Sequence, residues 1–291
     1  MTKHTVVIGT GFLGAVVVEN LRRSGVRPLH TYRHHRIFSD SVRFDVFRQR
    51  LSDVVPISEI GTVIFTARIE DAIDSAELQS AMRTLFCECR DIRNVYVSSD
   101  AVFDGRLGMY AESDVANPMT RYGRNKVACE DILRALAPNH CIIRPSYIFG
   151  FSCGQLDPRL TEARTSIRNG VPFHRFVDMY KSPIEVNRLA SIVVKAARSS
   201  FRGILHAGTD RVSVYDFFRK SLVELGEDTR LLLPARLPDS RPAEFLVDTS
   251  LNSTLLGRVL GETPQLLEGL SVSTGSKWQD PRTPNGWSCD L

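Results

Sequence analysis

Residues 95–133 read VYVSSDAVFDGRLGMYAESDVANPMTRYGRNKVACEDIL, and this stretch indicates the class of the fold. It begins with β-branched and aromatic residues typical of a buried strand, passes through a loop rich in Asp, Gly, Ser and Pro, and ends in a helical pattern. A strand that leads into a helix is the repeating unit of an α/β protein. We therefore expect the polar residues at the two junctions to lie where open α/β sheets bind their ligands.

Tyr122 and Lys126 lie four residues apart in the helical part of this stretch. In a helix that spacing places both side chains on one face, one turn apart, so that the ammonium can act on the phenol. A free tyrosine has a pKa of about 10, and proton transfer near pH 7 requires that its phenolate be stabilised by about 4 kcal/mol. An ammonium about 4 Å away supplies up to about 4 kcal/mol at an effective dielectric constant near 20. The alternative is a half-buried surface tyrosine beside a solvated lysine.

Ser99 lies at the carboxyl end of the strand that opens the stretch. Its hydroxyl is placed to form a hydrogen bond with a substrate carbonyl beside the phenol. We therefore predict that Ser99, Tyr122 and Lys126 are the catalytic residues.

The N-terminal stretch predicts a dinucleotide site. Residues 5–8 form a short apolar strand, residues 9–14 read GTGFLG, and residues 15–21 have an apolar helical pattern. A glycine turn between a strand and a helix lets the backbone approach a pyrophosphate, which the N–H groups of the helix N-terminus then bind. We predict that Gly9, Gly11, Phe12, Leu13 and Gly14 bind the cofactor. The alternative is an ordinary glycine turn.

The end of the second predicted strand, residues 28–32, suggests which dinucleotide is bound. An acidic residue there would accept hydrogen bonds from the ribose of NAD, but the sequence continues with Arg33, two histidines and Arg36. Guanidinium groups match the oxygens of a 2′-phosphate, so we predict that NADP(H) is preferred over NAD(H), with Arg33 as a contact. The alternative is a solvated basic loop.

The composition excludes several classes of protein. With 291 residues, 43% apolar and 24% charged, the chain has the composition of a soluble globular protein. It contains no apolar run long enough to cross a membrane and no signal-peptide pattern, so we expect a cytoplasmic location and no membrane partner. The arginines are scattered, which argues against a nucleic acid partner. The six cysteines contain no C-x-x-C motif, and we expect reduced thiols and no metal site.

The order of motifs resembles the extended short-chain dehydrogenase/reductase superfamily and, within it, the dTDP-4-dehydrorhamnose reductase family. The resemblance covers residues 5 to about 260. It implies an α/β fold of the Rossmann type, with a doubly wound parallel sheet and a smaller C-terminal substrate lobe. The matching segments are residues 97–105 (VSSDAVFDG), Asn117-Pro118, Tyr122-Gly123-x-x-Lys126 with Glu130, residues 142–150 (IIRPSYIFG), Ser182-Pro183, residues 203–208 (GILHAG), Arg241-Pro242 and residues 247–250 (VDTS).

This resemblance implies NADPH-dependent reduction of a keto group on a nucleotide-linked deoxysugar, most closely a 4-keto-6-deoxyhexose. Tyr122 would donate the proton, and Lys126 would also contact the nicotinamide ribose. The further cofactor contacts are Asp45, Val46, Thr66, Ala67, Arg68 and Pro145, and the substrate contacts are Ser99, Asp100, Tyr147 and Arg241. For Tyr147 a packed aromatic side chain is an equal alternative, and for Arg241 a solvated surface role. A homodimer would also be expected. The sequence has Ile8 and Glu70 where the family has glycine and histidine.

We expect a dinucleotide domain over residues 1–150, with a return near 184–207, and a substrate lobe from residues 151–183 and 208–291. Two other functions use the same scaffold. An epimerase or dehydratase would share the Tyr122 and Lys126 pair, although a dehydratase would be expected to have Asp-Glu after Ser99, where this sequence has Asp100-Ala101. A non-catalytic regulatory subunit would bind the dinucleotide without turnover.

Overall fold

A computed structural model describes residues 3–69, 74–240, 245–266 and 270. The strands are β1 His4–Ile8, β2 Leu29–Tyr32, β3 Val42–Arg43, β4 Ile60–Phe65, β5 Arg93–Val97, β6 His140–Pro145, β7 Ile148–Phe149, β8 Phe151–Ser152, β9 Gln155–Leu156, β10 Phe173–Phe176, β11 Tyr180–Lys181, β12 Ile184–Glu185, β13 Gly203–Ala207, β14 Val212–Ser213 and β15 Leu232–Ala235. Within the described residues, seven parallel strands form the central sheet in the order β3-β2-β1-β4-β5-β6-β13. The predicted Rossmann-type parallel sheet is confirmed.

The order of the strands reverses between β1 and β4. In open α/β sheets a crevice forms at such a reversal, outside the carboxyl ends of the strands, and ligands bind there. The glycine turn after β1 and residues 66–68 after β4 therefore lie on the two sides of this crevice.

Helices cover both faces of the sheet. They are α1 Phe12–Arg23, α2 Ser75–Glu88, α3 Arg121–Leu136, α4 Pro158–Arg168, α5 Val186–Arg198, α6 Val214–Glu224 and α7 Thr254–Leu260. Helix α2 begins at Ser75 because the Asp74 side chain accepts hydrogen bonds from the N–H groups of Ala76 and Glu77. Strand β3 ends at Arg43, two residues before Asp45.

The inner strands β4 and β5 of the central sheet are largely buried, and their successive side chains point to opposite cores. In β4, Val63 and Phe65 pack into one core with residues of α2 and α3, whereas Ile64 packs into the other core with α1 and α5. Tyr96 of β5 joins the first core and Val97 the second. This packing fixes the direction of each strand and thus the position of the loop that follows it.

A third hydrophobic cluster lies outside the two sheet cores. It is drawn from α4, α6 and the short strands, and includes Phe149, Leu160, Phe173, Phe217, Phe218 and Leu222. The cluster supports the proposed division into a dinucleotide domain and a smaller lobe, which stays a prediction. Among the described residues, no helix combines the length and apolar character needed to cross a membrane.

Candidate active site

The glycine turn has the geometry that a pyrophosphate site requires. Gly9 has a φ of +93°, which side chains rarely adopt, and a Cβ atom there would lie 2.5 Å from the Cα of Ala67. A Cβ on Gly14 would collide with the carbonyl oxygen of Gly9. By contrast, no atom lies within 4 Å of the corresponding position on Gly11, the residue that precedes α1. An anion can therefore approach the first N–H groups of the helix.

The neighbouring loop holds this turn in place. The Thr66 hydroxyl donates to the carbonyl oxygen of Gly9 at 2.8 Å, and it lies 3.2 Å from that of Ile8. Phe12 and Leu13 form the start of α1, and the Leu13 side chain is buried in the core. Only the backbone of Leu13 is therefore open to a cofactor, and that contact stays a prediction.

A small cavity beside the turn joins several residues predicted to bind the cofactor. It is lined by Ile8, Gly9, Thr31, Tyr32, Arg33, Phe44, Val46, Ala67 and Ile69. Arg33 is not a solvated loop residue, because its Nε lies 3.2 Å from a carboxylate oxygen of Asp45 and its guanidinium lies 4.9 Å from the centre of the Phe47 ring. The Asp45 carboxylate also accepts from the N–H of Phe47 at 3.1 Å. An arginine, a carboxylate and apolar side chains thus meet beside the glycine turn, and their contact with a cofactor stays a prediction.

Tyr122 and Lys126 project from the first turns of α3. The helix begins at Arg121 because the Thr120 hydroxyl accepts a hydrogen bond from the N–H of Gly123 at 3.0 Å. Lys126 is buried, donates to the carbonyl oxygen of Val97 at 3.0 Å, and places its Nζ 5.7 Å from the centre of the Tyr122 ring. Tyr122 is half-buried. Lys126 therefore differs from the solvated lysine of the alternative, whereas a half-buried Tyr122 agrees with both interpretations.

Gly123 brings this helix against the turn that contains Ser99. A Cβ atom on Gly123 would collide with the carbonyl oxygen of Ala101, so only glycine permits the approach. Ser99 lies two residues after the end of β5 and caps the short 3-10 turn Asp100–Val102, where its Oγ accepts from the N–H of Ala101 at 3.2 Å. Gly123, the residue after Tyr122, thus allows α3 to pack closely against the turn that contains Ser99.

Arg68 places a second cation near the phenol. It follows β4, and its guanidinium carbon lies 5.6 Å from the centre of the Tyr122 ring. The resemblance implied a cofactor contact for Arg68, and no contact with Tyr122 was predicted. Its side chain approaches the phenol because β4 and β5 are neighbours in the sheet.

A buried ion pair holds α3 against β6. Glu130, one turn after Lys126, receives two hydrogen bonds from the Arg144 guanidinium, at 3.0 and 2.6 Å, and a third from the Ser98 hydroxyl. All three side chains are nearly inaccessible to solvent. Arg144 and Ser98 were not predicted as site residues, although both lie in the quoted motifs. They fix the orientation of the helix that presents Tyr122.

Asp100 lies beneath Ser99 and is also buried. One of its carboxylate oxygens, Oδ2, accepts from the Ser146 hydroxyl at 2.9 Å, the Lys181 ammonium at 3.0 Å and the Thr249 hydroxyl at 2.6 Å. Burial acts to raise the pKa of this carboxyl, but the charge of Lys181 and the three hydrogen bonds outweigh it, and the pKa lies below its ordinary value. The predicted contact between Asp100 and substrate stays a prediction.

The remaining substrate predictions concern Tyr147 and Arg241. The Tyr147 hydroxyl donates to Asp157 at 3.0 Å, its ring meets the Phe217 ring edge-on at 5.0 Å, and the Arg159 guanidinium lies 4.4 Å from its centre. These contacts are those of a packed aromatic residue, and a contact with substrate stays a prediction. Pro145, the predicted cofactor contact, ends β6 and is buried. Arg241 and Glu70 lie outside the described residues.

Comparison with protein families gives a match over most of the chain. Residues 5–256 match the family described as the RmlD substrate binding domain. A dTDP-4-keto-6-deoxy-D-glucose reductase of Streptomyces niveus is 31% identical over 255 residues, which cover 84% of this chain and 85% of the relative. A probable low-salt glycan biosynthesis reductase of Haloferax volcanii is 26% identical over 265 residues, or 82% of this chain and 87% of the relative.

Solved structures show the same fold. A dTDP-4-dehydrorhamnose reductase of Bacillus anthracis in complex with NADP superimposes with a TM-score of 0.76 at 19% identity, covering 94% of this chain and 98% of its own. The protein MoeE5, in complex with UDP-glucose and NAD, superimposes with a TM-score of 0.73 at 22% identity, covering 93% of this chain and 97% of its own.

Proposed function

The chain belongs to the RmlD substrate binding domain family, and on this premise we propose that it is an NADPH-dependent reductase of the keto group of a nucleotide-linked 4-keto-6-deoxyhexose. The single observation that supports this most is the pairing of Lys126 with Tyr122 on α3, which Gly123 packs against the turn that contains Ser99 at the carboxyl end of β5. Relatives named as reductases of dTDP-linked keto sugars support the same substrate class.

The dinucleotide fits the residues at the crevice. Gly9 and Gly14 pack too closely to carry side chains, whereas Gly11 leaves the start of α1 open for a pyrophosphate. The depression lined by Arg33, Val46 and Ala67 has a volume of about 30 Å³, so the adenosine would lie against it and not inside it. When bound, the reduced nicotinamide supplies hydride for the carbonyl carbon.

Within the proposal, the protein supplies the proton and holds the carbonyl. The Tyr122 phenol donates its proton to the carbonyl oxygen as the alcohol forms. The ammonium of Lys126 lies near the ring and stabilises the phenolate that remains, while Ser99 orients the oxygen by a hydrogen bond. Asp45 and Arg33 hold the adenosine end of the dinucleotide.

We also propose a preference for NADPH. Arg33 lies at the end of β2, where a 2′-phosphate would be read, and its pairing with Asp45 fixes the guanidinium in place. The same carboxylate repels a phosphate, so bound NADPH would draw the Arg33 guanidinium from Asp45 toward its 2′-phosphate. Solved relatives include complexes with NADP and with NAD.

The state of Asp100 favours a reductase over a dehydratase on this scaffold. A dehydratase needs an acid that gives a proton to the departing hydroxyl. The Asp100 carboxyl is buried, paired with Lys181 and held at a lowered pKa, so it is ionised at neutral pH and has no proton to give.

The experiment is titration of the purified protein with NADPH and NADH, followed by NADPH consumption against a panel of nucleotide-linked 4-keto-6-deoxysugars. We expect NADPH to bind and at least one panel sugar to be reduced. Tyr122→Phe should lower turnover by about 100-fold or more and keep NADPH binding, because only the proton donor is lost. Tyr215→Phe, which also removes one phenolic hydroxyl, but from α6, is the matched control. Binding without turnover in the wild-type protein would instead favour a regulatory subunit.

A further inference from the structure

Ser99 is connected to the proposed substrate lobe through the carboxylate of Asp100. The Ser99 hydroxyl lies 3.2 Å from Oδ1 of Asp100, while Oδ2 receives Lys181 and Thr249 from segments 81 and 149 residues away. Lys181 also donates to the Thr249 hydroxyl. Lys181 belongs to β11, which pairs with β14, and thus to the proposed lobe. The predicted catalytic serine is therefore one hydrogen bond away from an ion pair that the lobe completes.

The hydrogen bonds around Ser99 fix the direction of its proton. A serine hydroxyl has one hydrogen to donate and two lone pairs that accept. An ionised carboxylate can only accept, so the bond between Ser99 and Asp100 uses that hydrogen. The N–H of Ala101 occupies one lone pair. To donate a hydrogen bond to a substrate carbonyl, the hydroxyl must turn away from Asp100.

How readily the Ser99 hydroxyl turns away depends on the net charge around the Asp100 carboxylate. Hydrogen bonds to an ionised acceptor are about twice as strong as those between neutral groups. The ammonium of Lys181, 3.0 Å from the carboxylate, balances its charge and weakens its attraction for the Ser99 proton. Without this ammonium, the carboxylate would retain the Ser99 hydroxyl in competition with the substrate.

We propose that Lys181 is a positioning residue which, by balancing the charge of Asp100, releases the Ser99 hydroxyl to donate its hydrogen bond to the substrate carbonyl. The inference depends on the proposed reductase function. In this inference Asp100 acts on the Ser99 hydroxyl and does not itself contact the substrate. It also makes the competence of Ser99 depend on the docking of β11 and of the segment that contains Thr249.

The test compares Lys181→Met, Lys181→Arg, Asp100→Asn and the double variant Lys181→Met/Asp100→Asn in the NADPH-consumption assay. We expect Lys181→Met to lower kcat by about 10- to 100-fold, less than the roughly 100- to 1,000-fold cost of removing a donor to the reacting oxygen outright, with little change in KM for NADPH. Lys181→Arg should recover most of the loss. Adding Asp100→Asn to Lys181→Met should recover part of it, because a neutral amide holds the Ser99 proton less strongly.

Two controls separate positioning from a general structural effect. Lys195 lies on α5, and its half-exposed ammonium pairs with the buried carboxylate of Glu262. Lys195→Met therefore removes a lysine that pairs with a buried carboxylate far from Ser99 in the sequence. It should leave kcat within about twofold of the wild-type value, because the substitution affects only stability. In a Ser99→Ala background, Lys181→Met should cause no further loss of kcat, since residues that act through one group are not additive.

A wild-type kcat for Lys181→Met would overturn the inference. So would a loss of kcat on adding Lys181→Met to Ser99→Ala that equals the loss it causes in the wild-type protein. Absence of turnover in the wild-type protein would count against the proposed function instead, and crystal structures of the wild-type and Lys181→Met proteins then decide the inference. We expect Ser99 Oγ and the Asp100 carboxylate to lie closer together in the variant. Unchanged positions of both groups would exclude a positioning role for Lys181.

Discussion

Lys126 donates a hydrogen bond of 3.0 Å to the carbonyl oxygen of Val97, the last residue of β5. The ammonium is thus bound to the end of the strand that leads directly into Ser99. It also lies 5.7 Å from the centre of the Tyr122 ring. One buried cation therefore couples the helix that presents the phenol to the strand that presents the hydroxyl.

Replacing Lys126 should disable the proposed proton donor. We expect Lys126→Met to lower kcat at pH 7 by about 100-fold or more, because the phenolate loses the charge that stabilises it. Steady-state kinetics checks this, and circular dichroism checks that the variant folds. Lys220→Met, the same change on the exposed face of α6, is the control. Activity of Lys126→Met within a few-fold of the wild-type value would exclude this role.

Replacing Arg33 should distinguish the two dinucleotides. We expect Arg33→Gln to raise the Kd for NADPH by about 10-fold or more and to change that for NADH far less, because a charge-assisted bond to phosphate contributes about 1.5–3 kcal/mol. Calorimetric titration measures both constants. Arg27→Gln alters an exposed arginine that precedes β2, at the opposite end of the strand, and should affect neither. An equal rise in the Kd values for NADPH and NADH would contradict the proposed contact between Arg33 and the 2′-phosphate.

Replacing Gly123 should force α3 away from the Ser99 turn. We expect Gly123→Ala to lower the free energy of unfolding by about 1–3 kcal/mol, since the added methyl group collides with the carbonyl oxygen of Ala101. Gly257→Ala is the matched control in α7, where the nearest atom would lie 3.6 Å away. It should be neutral or stabilise by up to about 1 kcal/mol through helix propensity. Urea unfolding measures both, and equal effects would refute the close contact.

His206 should make the fold sensitive to mild acid. Its ring is fully buried on β13, and burial, together with the charge of Arg144, lowers its pKa to about 4. An unfolded histidine has a pKa of about 6.5, so between pH 6.5 and 4 the unfolded chain binds a proton that the folded protein does not. Stability is therefore full above pH 6.5 and falls as the pH decreases toward 4, by about 3 kcal/mol in total.

Urea unfolding at pH 7 and pH 5 tests this dependence. We expect the wild-type protein to lose about 2 kcal/mol more than His206→Gln over this interval, because the variant has no imidazole to protonate. His34→Gln alters an exposed histidine and should behave like the wild-type protein. If the two histidine variants lose equal stability, a buried neutral His206 is not the cause.

The sequence alone determined those features of the site that depend only on residues close together along the chain. The GTGFLG turn required glycine where φ is positive at Gly9 and where the chain passes closest at Gly14. The spacing of Tyr122 and Lys126 required only the geometry of one helical turn. Short runs of β-branched and aromatic residues indicated the buried strands, because a strand covered on both faces is apolar at consecutive positions.

Only the tertiary structure determined the partners of these residues. Asp100 meets Lys181 and Thr249 across 81 and 149 residues, and Arg144 meets Glu130 from another element. No periodicity or spacing encodes such pairs, since they depend on the order of the strands and on where the lobe packs. For that reason the sequence predicted Ser99, Tyr122 and Lys126, whereas the ion pair that we propose controls Ser99 became visible only in the folded chain.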